Sequence, residues 1–187
     1  MKKLLPLLIL TTAPALAFAH PGHADSGFLS GALHPVGGLD HILAMLAAGL
    51  WAASFGGKAR WAVPAGFVGV MALGFVFGAN GGTIPMLEQG IAASVLVIGL
   101  AAAWAKQLPA AAAAVVVGAF ALFHGVAHGA EMHGASAAAY AAGFVLTTAL
   151  LHAVGFFAGT ALGQHRGWLR LSGSLIGLTG LAMLVGA

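Results

Sequence analysis

Two short runs hold most of the side chains in this sequence that are equipped for chemistry. The second in chain order is the simpler: Phe123-His124-Gly125-Val126-Ala127-His128-Gly129-Ala130-Glu131. His124 and His128 stand at i,i+4, the helical spacing that lets two imidazoles reach one metal ion. Glu131 follows three residues after His128 and seven after His124, so it joins the same face. Two neutral imidazoles and a carboxylate on one helix face form half of a divalent metal site. The first run is His34-Pro35-Val36-Gly37-Gly38-Leu39-Asp40-His41. On a regular helix His34 and His41 share a face and Asp40 is turned away from both. Gly37 and Gly38 offer a bend that would let all three converge. Alternatively, Asp40 orients His41 or a neighbouring helix through a hydrogen bond. Pro35 suits a helix start, where no N–H is needed.

The donor types narrow the ligand. Imidazole nitrogen suits nickel, cobalt, zinc and copper, and carboxylate oxygen is compatible with all of them. The chain has no cysteine, which argues against copper(I), structural zinc and iron–sulfur chemistry. Magnesium and calcium prefer oxygen-only shells. The residues therefore select a borderline divalent transition metal without ranking nickel above cobalt or zinc. Imidazole binds metal as a neutral base, so uptake is expected to fall as external pH drops through the histidine range. A hydrolytic metal site would need three protein ligands, an open water position and a general base. Glu131 could nominally be that base, but the HExxH pattern and a serine-nucleophile motif are both absent, so the chain does not read as an enzyme. No GxxxxGK[ST] run occurs to couple ATP directly.

The elements that carry these residues must lie in lipid. Of 187 residues only 6% are charged, 60% are hydrophobic, and nine are histidine. Soluble domains have about 25% charged residues, and disordered chains have the opposite composition. The net charge of +3 is too thinly spread for a nucleic-acid surface. Lys2 and Lys3, an apolar run to Ala13, and small residues at Ala15, Ala17 and Ala19 form a secretory signal peptide over 1–19, with a cut after Ala17 or Ala19. The remainder, 20–187, reads as one all-α integral membrane domain of six transmembrane helices, about 28–54, 61–79, 84–105, 109–130, 135–162 and 168–186. Lys58, Arg60, Lys106, Arg166 and Arg170 fall at alternate connections. The positive-inside rule makes those connections cytoplasmic and both mature termini external, in agreement with a cleaved signal. Abundant Gly and Ala favour close helix packing and allow self-association into a homo-oligomer.

On this topology the ligand-type residues concentrate at the external side. His20 and His23, on the segment after the cut, could capture metal. Glu88 sits in the outer part of the third stretch, either as a path residue or as a charge suited to a helix N-terminus. His152, deeper in the fifth stretch, either lines an exit path or is hydrogen-bonded across helices. His133 and His165 read as loop residues. Trp51, Trp61, Trp104 and Trp168 read as anchors at the cytoplasmic interface.

The runs HPVGGLDHILAMLAAGLW (34–51) and FHGVAHGAE (123–131), with the signal peptide, the HPGHAD segment and the six-helix layout, resemble the HupE/UreJ family over nearly the whole chain. The resemblance implies a secondary permease in a bacterial cytoplasmic membrane that takes up nickel or cobalt, often linked to nickel hydrogenase or urease maturation. It carries over to His34, Asp40 and His41 in the first motif and to His124, His128 and Glu131 in the second. Other readings are a metal-delivery accessory protein and, further off, a membrane metallohydrolase.

Overall fold

The structure is a computed structural model that describes residues 27–104, 108–132, 136–163 and 165–186. The signal peptide, His20, His23, Lys106 and His133 lie outside the described residues. Seven helices make up the described chain: α1 (Phe28–Gly37), α2 (Leu39–Ala52), α3 (Ala59–Ala79), α4 (Leu87–Trp104), α5 (Ala110–Ala130), α6 (Ala137–Leu162) and α7 (Arg166–Gly186). The five helices α3 to α7 are each long and apolar enough to cross a bilayer. All backbone polar groups of a helix are satisfied internally, which is what lipid demands.

The stretch 28–54 is not one helix. It breaks at Gly38 into α1 and α2, bent by 86°, and the bent pair counts as a sixth span only when taken together. Gly38 is extended, at φ −112° and ψ 128°, and serves α1 as its C-terminal and α2 as its N-terminal flanking residue. The anticipated Gly37–Gly38 bend is therefore present. Pro35, however, lies inside α1 rather than at a helix start. Its missing N–H weakens the last turn, so the helix stops within one turn of it and the new start falls at Gly38.

Outward faces are apolar, with Leu73, Val76, Val115, Val154 and Phe157 exposed. Association in lipid then depends on close packing, and glycine supplies it. α3 and α5 meet through two facing pairs, Gly74 with Gly78 and Gly125 with Gly129. A Cβ at Gly125 would overlap the Met71 carbonyl, one at Gly129 the Phe75 carbonyl, and one at Gly74 would lie 2.7 Å from the Leu122 oxygen. α6 supports both halves of the bent pair: Gly143 lies against Phe28 of α1, and Gly155 lies against Leu46 of α2. α4 and α7 meet through Gly99, Gly173 and Gly180. This contact pattern sets α2 inside the bundle. Trp51 is consequently fully buried, with its ring 5.7 Å from Phe55, and is not an interface anchor. Trp61, Trp104 and Trp168 are exposed.

Candidate metal centre

The bend and the glycine-mediated α3–α5 contact bring both sequence runs together. His34 sits in the last turn of α1, Asp40 and His41 in the first turn of α2, and His128 in the last turn of α5 with His124 one turn deeper. Centroids of the imidazole rings are 4.8 Å apart for His34 and His128, 4.9 Å for His41 and His128, and 4.7 Å for His41 and His124. His34 and His41 are 6.1 Å apart. His124 and His128 are fully buried, and His41 is nearly so. Phe144 of α6 stacks on His128 at 4.8 Å and 11° and fixes the plane of that ring.

Hydrogen bonds determine which nitrogens are free to bind. Asp40 Oδ1 accepts from His41 Nδ1 at 2.8 Å and from the His41 backbone N–H at 2.7 Å. The proton is thereby held on Nδ1, and the lone pair falls on Nε2, which is buried without a partner. On α4, the Ser94 hydroxyl donates to the Ile91 carbonyl at 2.6 Å. Its oxygen then accepts from His124 Nε2 at 2.9 Å. This places the His124 lone pair on Nδ1, which is also buried and unpartnered. Both nitrogens of His128 are buried without a partner. Buried polar groups are ordinarily paired, yet four such unpartnered atoms sit on three adjacent rings here. At the rim, His34 Nε2 donates to Glu131 Oε2 at 2.9 Å. That bond holds the Glu131 carboxyl below its ordinary pKa of 4.5.

The structure thus gathers His34, Asp40, His41, His124, His128 and Glu131 into one cluster. As the side chains stand, no three His, Asp or Glu among the described residues are placed to hold a metal ion. The rings meet edge to face, and His34 and His41 each spend one nitrogen on a carboxylate. Convergence on an ion requires ring rotation within the cluster. Among the remaining candidates, Glu88 is exposed in the first turn of α4. Among the described residues no hydrogen bond or ion pair ties it to the cluster. His165 is exposed in the turn before α7. His152 is buried on α6, and neither of its nitrogens is hydrogen-bonded, so it is not the cross-helix bonded core histidine.

Sequence reasoning passed over four neighbours: Ser94, Phe67, Phe144 and Tyr140. The last is the single tyrosine of the chain, 5.9 Å from His34, with a buried and unpartnered hydroxyl. A lone Ser in an apolar helix and one Tyr near a loop were the available signals. Neither has a periodicity that points to a partner.

Helices of membrane-spanning length around a buried, histidine-lined core define a multi-pass membrane protein. Comparison with known proteins narrows the class. The family model described as HupE / UreJ protein matches residues 8–183. Protein HupE of Rhizobium leguminosarum bv. viciae is 45% identical over 188 residues, covering 98% of each chain. The chain belongs to the HupE/UreJ family, which is implicated in nickel or cobalt uptake or in hydrogenase and urease accessory roles. No solved structure matches it.

Proposed function

We propose that this protein is a secondary permease that takes up divalent nickel or cobalt across the bacterial cytoplasmic membrane. The observation that carries the reading is the meeting of four imidazoles from α1, α2 and α5, with unpartnered nitrogens on His41, His124 and His128. The external segment with His20 and His23, exposed by signal cleavage, collects the metal. The ion displaces the His34–Glu131 contact at the rim and passes to His41, His128 and His124. Asp40 and Glu131 offset its two charges, and Asp40 and Ser94 keep the two ligand rings in the metal-binding tautomer. The basic connections lie in the cytoplasm, so an inside-negative potential favours inward movement of a divalent ion by about 4.6 kcal/mol per 100 mV. Zinc can occupy the same donors. The imported metal would serve nickel hydrogenase or urease maturation.

The test is uptake of radiolabelled nickel and cobalt by cells lacking other importers, with wild type and His124→Ala at matched membrane levels. The expected result is saturable uptake by wild type and its loss in the variant. No uptake by correctly inserted wild type would sink the permease reading and favour an accessory role. Uptake indifferent to His124 would sink the site.

A further inference from the structure

The end of the bundle away from the histidine cluster holds a cavity of different character. It measures about 320 Å³ and lies where α2, α4, α6 and α7 meet. One of its lining residues, Gly159, is about 28 Å along α6 from Tyr140. Leu50, Ala103 and Leu169 form a buried apolar floor. Trp104, Arg166 and Arg170 are exposed at its mouth. The cavity joins two pairs of helices that each pack through glycine: α2 with α6 at Gly49 and Gly155, and α4 with α7 at Gly99 and Gly180.

Arg166 and Arg170 stand at i,i+4 on α7, so their side chains leave one face of the helix about 6 Å apart. Arginine is always charged, and two like charges at that spacing repel. Among the described residues no carboxylate balances them, and neither guanidinium makes an ion pair or hydrogen bond. The sequence has four acids: Asp25, Asp40, Glu88 and Glu131. Asp40 and Glu131 belong to the histidine cluster, and Glu88 opens α4 at the end opposite Trp104. Asp25 precedes α1 in the sequence and lies outside the described residues. The counter-charge for this cavity must then come from a bound anion.

A positive mouth over an apolar floor suits an anion that carries an apolar part. Guanidinium N–H groups match the oxygens of a phosphate in pairs. Trp61, Trp104 and Trp168 are all exposed at this end of the bundle, as tryptophans at headgroup level are. Beside Arg170, Leu171, Leu175 and Leu178 give α7 an exposed apolar stripe along which an acyl chain can lie. Basic pockets between membrane helices take anionic headgroups. We propose that this cavity binds the phosphodiester headgroup of an anionic membrane lipid, with Arg166 and Arg170 holding the phosphate. A zwitterionic lipid brings its own cation and leaves the arginines unbalanced. The cavity is at the small end of ligand pockets, so it takes the headgroup and leaves the acyl chains outside. The inference stands apart from the permease reading, since two positive charges at the mouth disfavour a divalent cation. A headgroup seated here touches both glycine-packed pairs and holds them together.

The experiment is lipid titration of the purified protein in detergent, read by native mass spectrometry for bound lipid and by melting temperature. The probes are phosphatidylglycerol, phosphatidylcholine with the same acyl chains, and inorganic phosphate. Wild type should bind one phosphatidylglycerol about tenfold more tightly than phosphatidylcholine and melt higher with it. Arg166→Gln with Arg170→Gln should reduce that preference to about twofold or less, and each single variant should lower it about threefold. Lys58→Gln with Arg60→Gln removes the same charge from the same end but outside the cavity, and should keep the preference. Inorganic phosphate should neither displace the lipid nor raise the melting temperature. Equal binding of the two lipids by wild type would overturn the proposal without any variant, so a variant that fails to fold does not shield it. Preference retained without both arginines would overturn the site. Equal loss in the Lys58 and Arg60 control would overturn it too, in favour of diffuse surface charge. Displacement by inorganic phosphate would overturn the lipid as occupant in favour of a free anion.

Discussion

Ser94→Ala tests the tautomer argument at its least obvious member. The substitution removes the oxygen that accepts from His124 Nε2 at 2.9 Å, in a place where both residues are fully buried. The Ile91 carbonyl loses only an extra donor, since it lies within α4 and can keep its helical bond. The loss therefore falls on His124. If the ring keeps its proton on Nε2, a buried N–H stands unpaired at a cost of about 1–3 kcal/mol. If the proton moves to Nδ1, that buried N–H is equally unpaired and the lone pair on Nδ1 is lost. Both routes weaken metal binding. At 1.4 kcal/mol per tenfold, 1–3 kcal/mol is about 5- to 150-fold, which matches the 10- to 100-fold typical of lost partners behind a metal ligand. The assay is cobalt titration of purified protein by visible absorption, alongside nickel uptake. Ser94→Ala should weaken cobalt binding about tenfold or more, and Ser94→Thr, which retains the hydroxyl, should recover most of it. Cobalt affinity of an inserted, stable Ser94→Ala protein within twofold of wild type would refute the reasoning. Equal loss in Ser94→Ala and Ser94→Thr would show that packing, not the hydroxyl, is what matters.

A Cβ at Gly38 would lie 2.5 Å from Asp40 Oδ1 and 3.2 Å from His41 Nδ1, whereas at Gly37 it meets nothing within 4 Å. Gly38→Ala should therefore cut nickel uptake more than tenfold while Gly37→Ala leaves it near wild type. Gly125→Ala would drive a methyl into the Met71 carbonyl. It should lower stability by about 1–3 kcal/mol, the usual cost of overpacking, seen as a lower melting temperature in detergent together with lost uptake. Glu131 is held below its ordinary pKa of 4.5 by the bond from His34. A lowered native pKa gives stability that is full above the unfolded value and is lost as pH falls through the native one. The melting temperature of wild type should exceed that of Glu131→Gln at pH 5.5 to 6, and the two should converge as pH drops below about 4.5. A gap that widens on acidification would reverse the sign of the argument.

The parts of this molecule that were legible in its sequence were those set by expense in lipid. Ionisable side chains are rare enough here that each needed a reason. Spacing then placed His124, His128 and Glu131 on one face, and the paired glycines marked a bend near His41. The 86° angle at Gly38 was not legible, because permissive residues show where a chain can turn and not how far. The angle depends on α6, whose Gly143 and Gly155 seat the two halves separately. The same break decides the place of Trp51. At the end of a straight span it would reach the interface, but on α2 of a broken one it is enclosed among helices. Ser94 was invisible because its partner is thirty residues away on another helix. Pro35 suits a helix start by its chemistry, but the break it favours comes one turn later.

The break also gives the cluster an electrostatic character that a continuous helix could not supply. A helix carries about half a positive charge at its N-terminus and half a negative charge at its C-terminus. A straight span from 28 to 54 would present its middle to the cluster, where the peptide dipoles cancel. Broken at Gly38, it presents two ends: the C-terminal turn of α1, which carries His34, and the N-terminal turn of α2, which carries Asp40 and His41. The last turn of α5, with His128, adds a third. The N-terminal turn of α6, with Tyr140 5.9 Å from His34, balances it with a second positive end, and Asp40 sits in the first turn of α2, where it opposes the positive end there. The helix ends and Asp40 together therefore favour a cation at the histidines before Glu131 is counted. It does so where the imidazoles must stay neutral to bind metal, so the carboxylates and helix ends can bear the ionic charge while the rings supply the lone pairs. Straightening the first span would cost the site both its fourth imidazole and part of its field, which is why the bend belongs to the ligand chemistry as much as to the fold.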